Sequence, residues 1–225
     1  MTGCRMMPPS PRLVLDFDST LVSVEGLDFL YARTLGDAEG RARREAEFRR
    51  LTDRGMAGGM APRESLEERL TLLRATRSQV ESAAEAMVAH ITPSALRSRH
   101  RLQRHARRIW IVSGGFRELI EPTLRELGLL PARLRAHRFR WSETGIVAGV
   151  DPDTPLARGG KAEALRKLAL DGPIWVVGDG ANDLALRQQG LADRFLAFVE
   201  NRNRPSVTAR ADAVVASFDD LPTLD

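Results

Sequence analysis

Asp16 and Asp18 sit one residue apart at the end of the apolar run Leu13-Val14-Leu15, within the stretch LVLDFDSTLV over residues 13–22. A charge buried at such a place costs several kcal/mol unless it is paired, hydrogen-bonded or bound to a metal. The spacing alone leaves two readings open: strand-end aspartates that cap the next turn, or carboxylates that hold a cation and move protons. Two further acids, Asp179 and Asp183 of GDGAND, follow the apolar run PIWVV, and Ser113 with Gly114 and Gly115 follows IWIV. Lys161 stands directly after two glycines. It and Lys167 are the only lysines among 34 basic residues, so this position suggests a site wanting a compact point charge rather than a planar guanidinium.

These groups can meet only if the elements before them share an edge. Short, continuously apolar strands alternate with helical stretches, the pattern of a parallel sheet covered on both faces, whose ligand sites lie beyond the carboxyl ends of the strands. Thr92 and Pro93 predict an N-cap and first helical residue of a helix running to about Arg107. The strand IWIV is expected to end at Ser113, with a helix over Phe116–Leu127; further helices are expected from about Lys161 and Asn182, and FLAFVE reads as another strand. Between Thr20 and Thr92 the pattern is helical throughout. Leu66, Leu70 and Leu73 mark a packing stripe, and Ser78 with Glu81 fits a capping box. Residues 134–150 read as a hairpin turning near Ser142–Gly145. The expected architecture is α/β: a Rossmann-like parallel sheet core over residues 11–22 and 91–225, a helical cap over 23–90 inserted after the first strand, a small β-hairpin, and an N-terminal tail over 1–10. A bundle placed there would lie over the strand ends as a lid.

Composition narrows the function classes. The chain has 225 residues, 43% of them hydrophobic, enough for a full core. No run of 18 apolar residues occurs and MTGCRMMPPSP lacks the apolar centre of a signal peptide, so the expectation is a cytoplasmic protein without a membrane partner. A single cysteine, Cys4, argues against disulfides, thiolate metal clusters and thiol catalysis. The net charge of +4 and pI of about 10.1 reflect arginines that mostly alternate with glutamates, as on solvated helix faces. Only residues 97–108, RSRHRLQRHARR, are basic without interruption, and they lack the interleaved aromatics of a single-strand binding surface, so nucleic acid is not an expected partner.

DFDST (Asp16–Thr20), VSGG (Val112–Gly115), GGK (Gly159–Lys161) and GDGAND (Gly178–Asp183), in this order, resemble the four motifs of the haloacid-dehalogenase-like phosphatases. STLVSVEGLD, IVSGGF, DTPLARGGK and the spacing of Met56, Gly58, Ser65, Leu66 and Arg69 are similar to the branch of that superfamily that acts on phosphoserine. The likeness spans about residues 11–220. It implies Glu25 for the substrate ammonium, Arg69 for its carboxylate and Met56 as pocket lining, with a small phosphorylated metabolite, phosphoserine first among them, as the partner of a monomer or homodimer. Two departures stand out: Pro62 replaces a phenylalanine usual in the cap, and FVENRNRP follows the last strand where the family pattern differs.

The chemistry of the residues agrees with that likeness. Cleaving a phosphate monoester needs a nucleophile, a proton donor and positive charge around the phosphoryl oxygens. Asp16 can attack and Asp18 can serve as acid and then base. Four acids and a phosphate dianion repel one another unless cations intervene, so Lys161 and one Mg²⁺ are expected. Oxygen-only ligands favour Mg²⁺, held by Asp16, Asp179 and the Asp18 backbone carbonyl, with Asp183 orienting a metal-bound water or Lys161. Ser113 and the N–H groups of Gly114 and Gly115 can cradle phosphoryl oxygens, and Asn182 can reach the phosphate. A phosphatase or phosphotransferase for another small monoester stays open, as does a basic binding module with a vestigial phosphate pocket.

Overall fold

A computed structural model of the chain describes residues 10–36, 39–56 and 59–221. Cys4, Gly58 and the N-terminal tail up to residue 9 lie outside the described residues, as does the side chain of Pro62.

Six strands form one parallel sheet: β1 (Arg12–Leu15), β2 (Ile109–Phe116), β3 (Leu134–His137), β6 (Ile174–Gly178), β7 (Arg194–Phe198) and β8 (Ala213–Val215), in the order β3-β2-β1-β6-β7-β8. β4 (Phe139–Trp141) and β5 (Val147–Val150) make a separate antiparallel pair. The period-2 geometry of a strand sends Leu13 and Leu15 into one apolar cluster and Val14 into the other, so both faces of β1 are buried. The other sheet residues follow suit, with Ile111 and Val177 on the first side and Val112 and Val176 on the second.

Helices α5 (Pro93–Arg97), α6 (Arg99–Arg104), α7 (Arg117–Leu127), α8 (Gly160–Leu168), α9 (Ala181–Gln188) and α10 (Pro205–Thr208) cover the sheet. Between β1 and α5 run α1 (Gly26–Thr34), α2 (Arg41–Met56), α3 (Pro62–Leu72) and α4 (Arg77–Met87). The two chain crossings into this helical segment lie side by side: Val22 bridges Ile91, Ser23 N donates to His90 O at 2.9 Å, and Thr92 N donates to Leu21 O at 2.9 Å. Leu66, Leu70 and Leu73 are buried in the same cluster as α1, as their spacing predicts.

Four local expectations need correction. The box at the start of α4 is made by Thr76 and Gln79, not Ser78 and Glu81, because the helix begins at Arg77: Gln79 N donates to Thr76 Oγ1 at 3.3 Å and Thr76 N to Gln79 Oε1 at 2.9 Å. The helix expected to run to Arg107 breaks at Ser98, whose hydroxyl donates to Asp219 Oδ1 at 2.7 Å; its start is as expected, with Thr92 at the N-cap position and Pro93 first in the helix, although the Thr92 hydroxyl donates to Thr20 O at 2.6 Å rather than accepting from the first turn. β2 continues through the glycines to Phe116, and α7 starts at Arg117. Leu134–His137 joins the edge of the main sheet, leaving the hairpin to residues 139–150, with Gly145 N donating to Ser142 O at 3.0 Å in its turn.

The basic stretch is largely committed to the fold. Arg97 pairs with Asp219 and Arg99 with Glu126, Arg101 donates to the carbonyls of Phe218 and Leu221, and Arg108 donates to Ser10 O. These contacts fasten the C-terminal segment and the start of β1 to the α5–α6 region.

Candidate active site

β1 lies between β2 and β6, so the residues after β1 and β6 are neighbours at one edge. Leu15 is in register with Val177, and Asp16 N donates to Val177 O at 2.9 Å. Beyond β1 the chain turns tightly: the N–H groups of Thr20, Leu21 and Val22 all point to Phe17 O. Phe17 is 1% exposed, and burying such a ring contributes roughly 1.5–3 kcal/mol, anchoring the turn between its two aspartates.

Asp16, Asp179 and Asp183 are buried with carboxylate oxygens within 4.8 Å of one another. Lys161, at the N-terminus of α8, bridges two of them: its Nζ stands 2.7 Å from Asp16 Oδ2 and 2.8 Å from Asp183 Oδ1. Burial alone would lower the pKa of this ammonium, but the two carboxylates outweigh it and hold the pKa above the ordinary lysine value. Burial and the neighbouring Asp16 push Asp179 and Asp183 upward. Gly178 makes room for Asp183, since a Cβ built there would stand 2.4 Å from its carboxyl carbon.

The carboxylate of Asp18 lies outside that group. Its Oδ1 accepts from Gly26 N at 2.8 Å, and a Cβ on Gly115 would come within 3.1 Å of Oδ2. Asp18 is thus wedged between two glycines of α1 and β2. Desolvation, then Glu25 and Asp16, raise its pKa well above the usual carboxylate range. Ser113 is fully buried, with its Oγ accepting from Gly115 N at 2.9 Å, while Gly114 faces open space. Asn182 lies in the first turn of α9, beside Asp183.

From the helical segment, Met56 reaches the strand ends: a Cβ on Gly180 would stand 3.2 Å from Met56 Cε. Glu25 accepts from Ser19 Oγ at 2.8 Å, and Ser19 holds a left-handed φ of 53°, uncommon for a residue with a Cβ. Arg69, on α3, is largely buried against α2, and burial lowers its pKa while Asp28, Glu25 and Asp18 raise it, so all three carboxylates lie within its electrostatic reach. Asp16, Asp18, Ser113, Lys161, Asp179 and Asp183 thus gather where the central strands end, with Glu25 and Met56 reaching them from the helical segment.

Sequence reasoning passed over Arg204. This side chain, 14% exposed, donates from Nε to Asp179 Oδ2 at 3.0 Å, and its Nη2 lies 3.8 Å from Glu25 Oε1. Its segment FVENRNRP begins at the end of β7 and precedes β8, a strand the sequence reading omits; that place is the signal, because loops at the carboxyl ends of such strands line the site.

Burial, then Asp179, lift Glu25 to about 7, against the hydrogen bond from Ser19. A carboxylate reads an ammonium only when ionised, which for Glu25 means above about pH 7. If it binds the substrate ammonium, kcat/KM for an amino-bearing phosphomonoester should fall by up to about tenfold per unit as pH drops below 7, relative to an aryl phosphate lacking that group. Glu25→Gln should flatten this difference; a wild-type ratio independent of pH between 5.5 and 8 would refute it.

A family model of haloacid dehalogenase-like hydrolases matches residues 13–188. The chain is 31% identical over 210 residues to the chloroplastic phosphoserine phosphatase of Arabidopsis thaliana, covering 92% of this chain and 68% of that one. To the phosphoserine phosphatase of Homo sapiens it is 30% identical over 210 residues, covering 92% and 89%. A phosphoserine phosphohydrolase-like protein from Francisella tularensis superimposes with a TM-score of 0.84 at 26% identity, over 93% of this chain and 96% of that one.

Proposed function

The chain belongs to the haloacid dehalogenase-like hydrolase family, and from that premise we propose that it hydrolyses O-phospho-L-serine to L-serine and phosphate through an aspartyl phosphate on Asp16, beneath a cap formed by residues 23–90. The observation that carries this reading is the position of Lys161, bridging Asp16 and Asp183 while Asp179 lies alongside. Lys161 and Arg204, the latter 3.0 Å from Asp179, cannot between them balance three buried acids and an incoming phosphate dianion.

The residues fit a hard divalent cation. Among the described residues Asp179 Oδ1 is buried without a hydrogen-bond partner, although Oδ2 is satisfied by Arg204, and the neighbouring ligand atoms are carboxylate oxygens. Asp16, Asp179 and the Asp18 backbone carbonyl would hold Mg²⁺, supported by Asp183. When bound, Mg²⁺ supplies charge neutralisation that lets an anionic nucleophile meet an anionic phosphate.

The protein's own groups divide the work. A carboxylate oxygen of Asp16 forms the bond to phosphorus as the bond to the serine oxygen breaks, and Asp18 gives that oxygen its proton. Asp18 then takes a proton from water, the water oxygen attacks phosphorus, and the aspartyl P–O bond breaks to release phosphate. Lys161, Ser113 and the Gly114 N–H hold the phosphoryl oxygens, joined by the Gly115 N–H once it leaves Ser113 Oγ, to which it donates at 2.9 Å, with Asn182 at the rim. Glu25 receives the ammonium and Arg69 the carboxylate, and Met56 closes the pocket over Gly180.

Phosphate release from a panel of monoesters tests the reading, with L-phosphoserine compared with O-phosphoethanolamine and an aryl phosphate. L-Phosphoserine should have the highest kcat/KM, and Arg69→Ala should reduce that value about ten- to hundredfold, the worth of a charge-assisted contact, while changing the aryl phosphate far less. Equal proportional losses would remove the specificity assignment and leave Asp16 chemistry standing.

A further inference from the structure

We propose that Asp28 and Thr52 are positioning residues for Arg69, and that through it they set the enzyme's preference for a carboxylate on its substrate. The inference rests on the reading that Arg69 receives that carboxylate.

Three helices of the cap meet at one polar node. Asp28 comes from α1, Thr52 from α2 and Arg69 from α3. Thr52 is 2% exposed, and the Asp28 and Arg69 side chains are 16% and 15% exposed. The Thr52 hydroxyl donates its one proton to Asp28 Oδ2 at 2.7 Å, which leaves a lone pair on Oγ1 to accept from Arg69 Nη1 at 3.2 Å. Arg69 Nε donates to Ser65 O at 3.2 Å, one turn back, and Ser65 Oγ is itself fixed to Leu51 O at 2.8 Å. Nε and Nη1 are therefore committed, and Nη2 has no hydrogen-bond partner among the described residues.

The hydroxyl also acts as a spacer. Arg69 Nη1 and Asp28 Oδ2 stand 4.0 Å apart, beyond hydrogen-bond distance. Asp28 offsets part of the charge of a buried guanidinium without forming the two-pronged pair that would occupy its hydrogen-bonding edge. Asp28 Oδ1 is buried and makes no hydrogen bond among the described residues, so the hydrogen bond from Thr52 to the other oxygen is what orients this carboxylate there. Removing either residue leaves Arg69 charged and tied at Nε to Ser65 O, but loosens the oriented contact that fixes Nη1.

The experiment compares kcat/KM for L-phosphoserine with that for O-phosphoethanolamine, which keeps the phosphate and ammonium but lacks the carboxylate. Wild type, Thr52→Ser, Thr52→Val and Asp28→Asn are measured, with thermal melts to monitor folding. Thr52→Val and Asp28→Asn should each lower the ratio about tenfold, through KM for phosphoserine rather than kcat, and Thr52→Ser should restore it. An unchanged ratio in both Thr52→Val and Asp28→Asn overturns the inference, including the case in which both substrates lose rate together, as a structural fault or a direct ammonium contact at Asp28 would cause. If wild type itself shows no preference for phosphoserine over phosphoethanolamine, the reading of Arg69 fails, and the inference with it. Should Asp28→Asn fail to fold, the isosteric Thr52→Val decides the question.

Discussion

Asp16→Asn is expected to abolish turnover of every phosphate monoester, by a factor on the order of 10⁴ or more, the scale on which loss of a nucleophile is felt in covalent catalysis. The substitution is close to isosteric. An amide oxygen can still accept from Phe17 N, which now reaches Asp16 Oδ1 at 2.7 Å, so the turn should hold. The other atom becomes an NH₂ aimed at Lys161, where a carboxylate oxygen now stands 2.7 Å from Nζ. Lys161 keeps Asp183, and the cluster loses one of its mutually repelling charges, so folding is not expected to suffer in proportion. Asp18→Asn should behave differently, with slow turnover but detectable phosphoenzyme on acid quenching, because it removes proton transfer and leaves the bond-forming atom in place. More than about 1% of wild-type turnover in Asp16→Asn would place the nucleophile elsewhere.

The residues of this first experiment were legible because their signal is local. Three of the four motifs follow a short apolar run, and in a parallel sheet buried on both faces the ends of neighbouring runs must come together; that Asp16 and Asp179 are adjacent follows from β1 pairing with β6. Lys161 announced itself by being a lysine in an arginine-rich chain. The residues that were missed share the opposite property. Arg204, Thr52 and Asp28 belong to no short pattern, and each acquires its partner only when distant segments meet: Arg204 with Asp179 across 25 residues, and Thr52 with Asp28 across 24. The same physics misplaced the helix expected to run from Pro93 to Arg107. Nothing near Ser98 signals a break, because its partner Asp219 lies 121 residues away. The start of α4 was misjudged for a different reason. Thr76 and Ser78 are both competent caps, and the choice falls where Thr76 also bridges Ile146 of the hairpin turn.

The second large effect concerns Lys161. Lys161→Met should lower kcat on phosphoserine about 10³-fold, the upper range for removing one preorganised charge-bearing donor from a buried site. Lys161→Arg should recover little, because Asp16 and Asp183 are both met by a single nitrogen, at 2.7 and 2.8 Å, in a site where the side chain is 9% exposed, and a planar guanidinium spreads its donors over separate nitrogens. The methionine variant should also be less stable by roughly 3–5 kcal/mol at alkaline pH, since it leaves buried carboxylates without their cation. That loss should shrink on acidification. Asp183 already holds its proton more tightly than an exposed aspartate, because burial and Asp16 raise its pKa, and loss of Lys161 removes the main opposing charge. The folded variant then binds more protons than its unfolded chain, so its stability falls as pH rises and recovers as pH drops. Denaturant melts of both proteins at pH 8 and pH 5.5 measure this directly, with the gap between wild type and variant expected to narrow at the lower pH. A gap of the same size at both values, together with turnover above about a tenth of wild type, would mean that Lys161 neither neutralises these acids nor serves the phosphate.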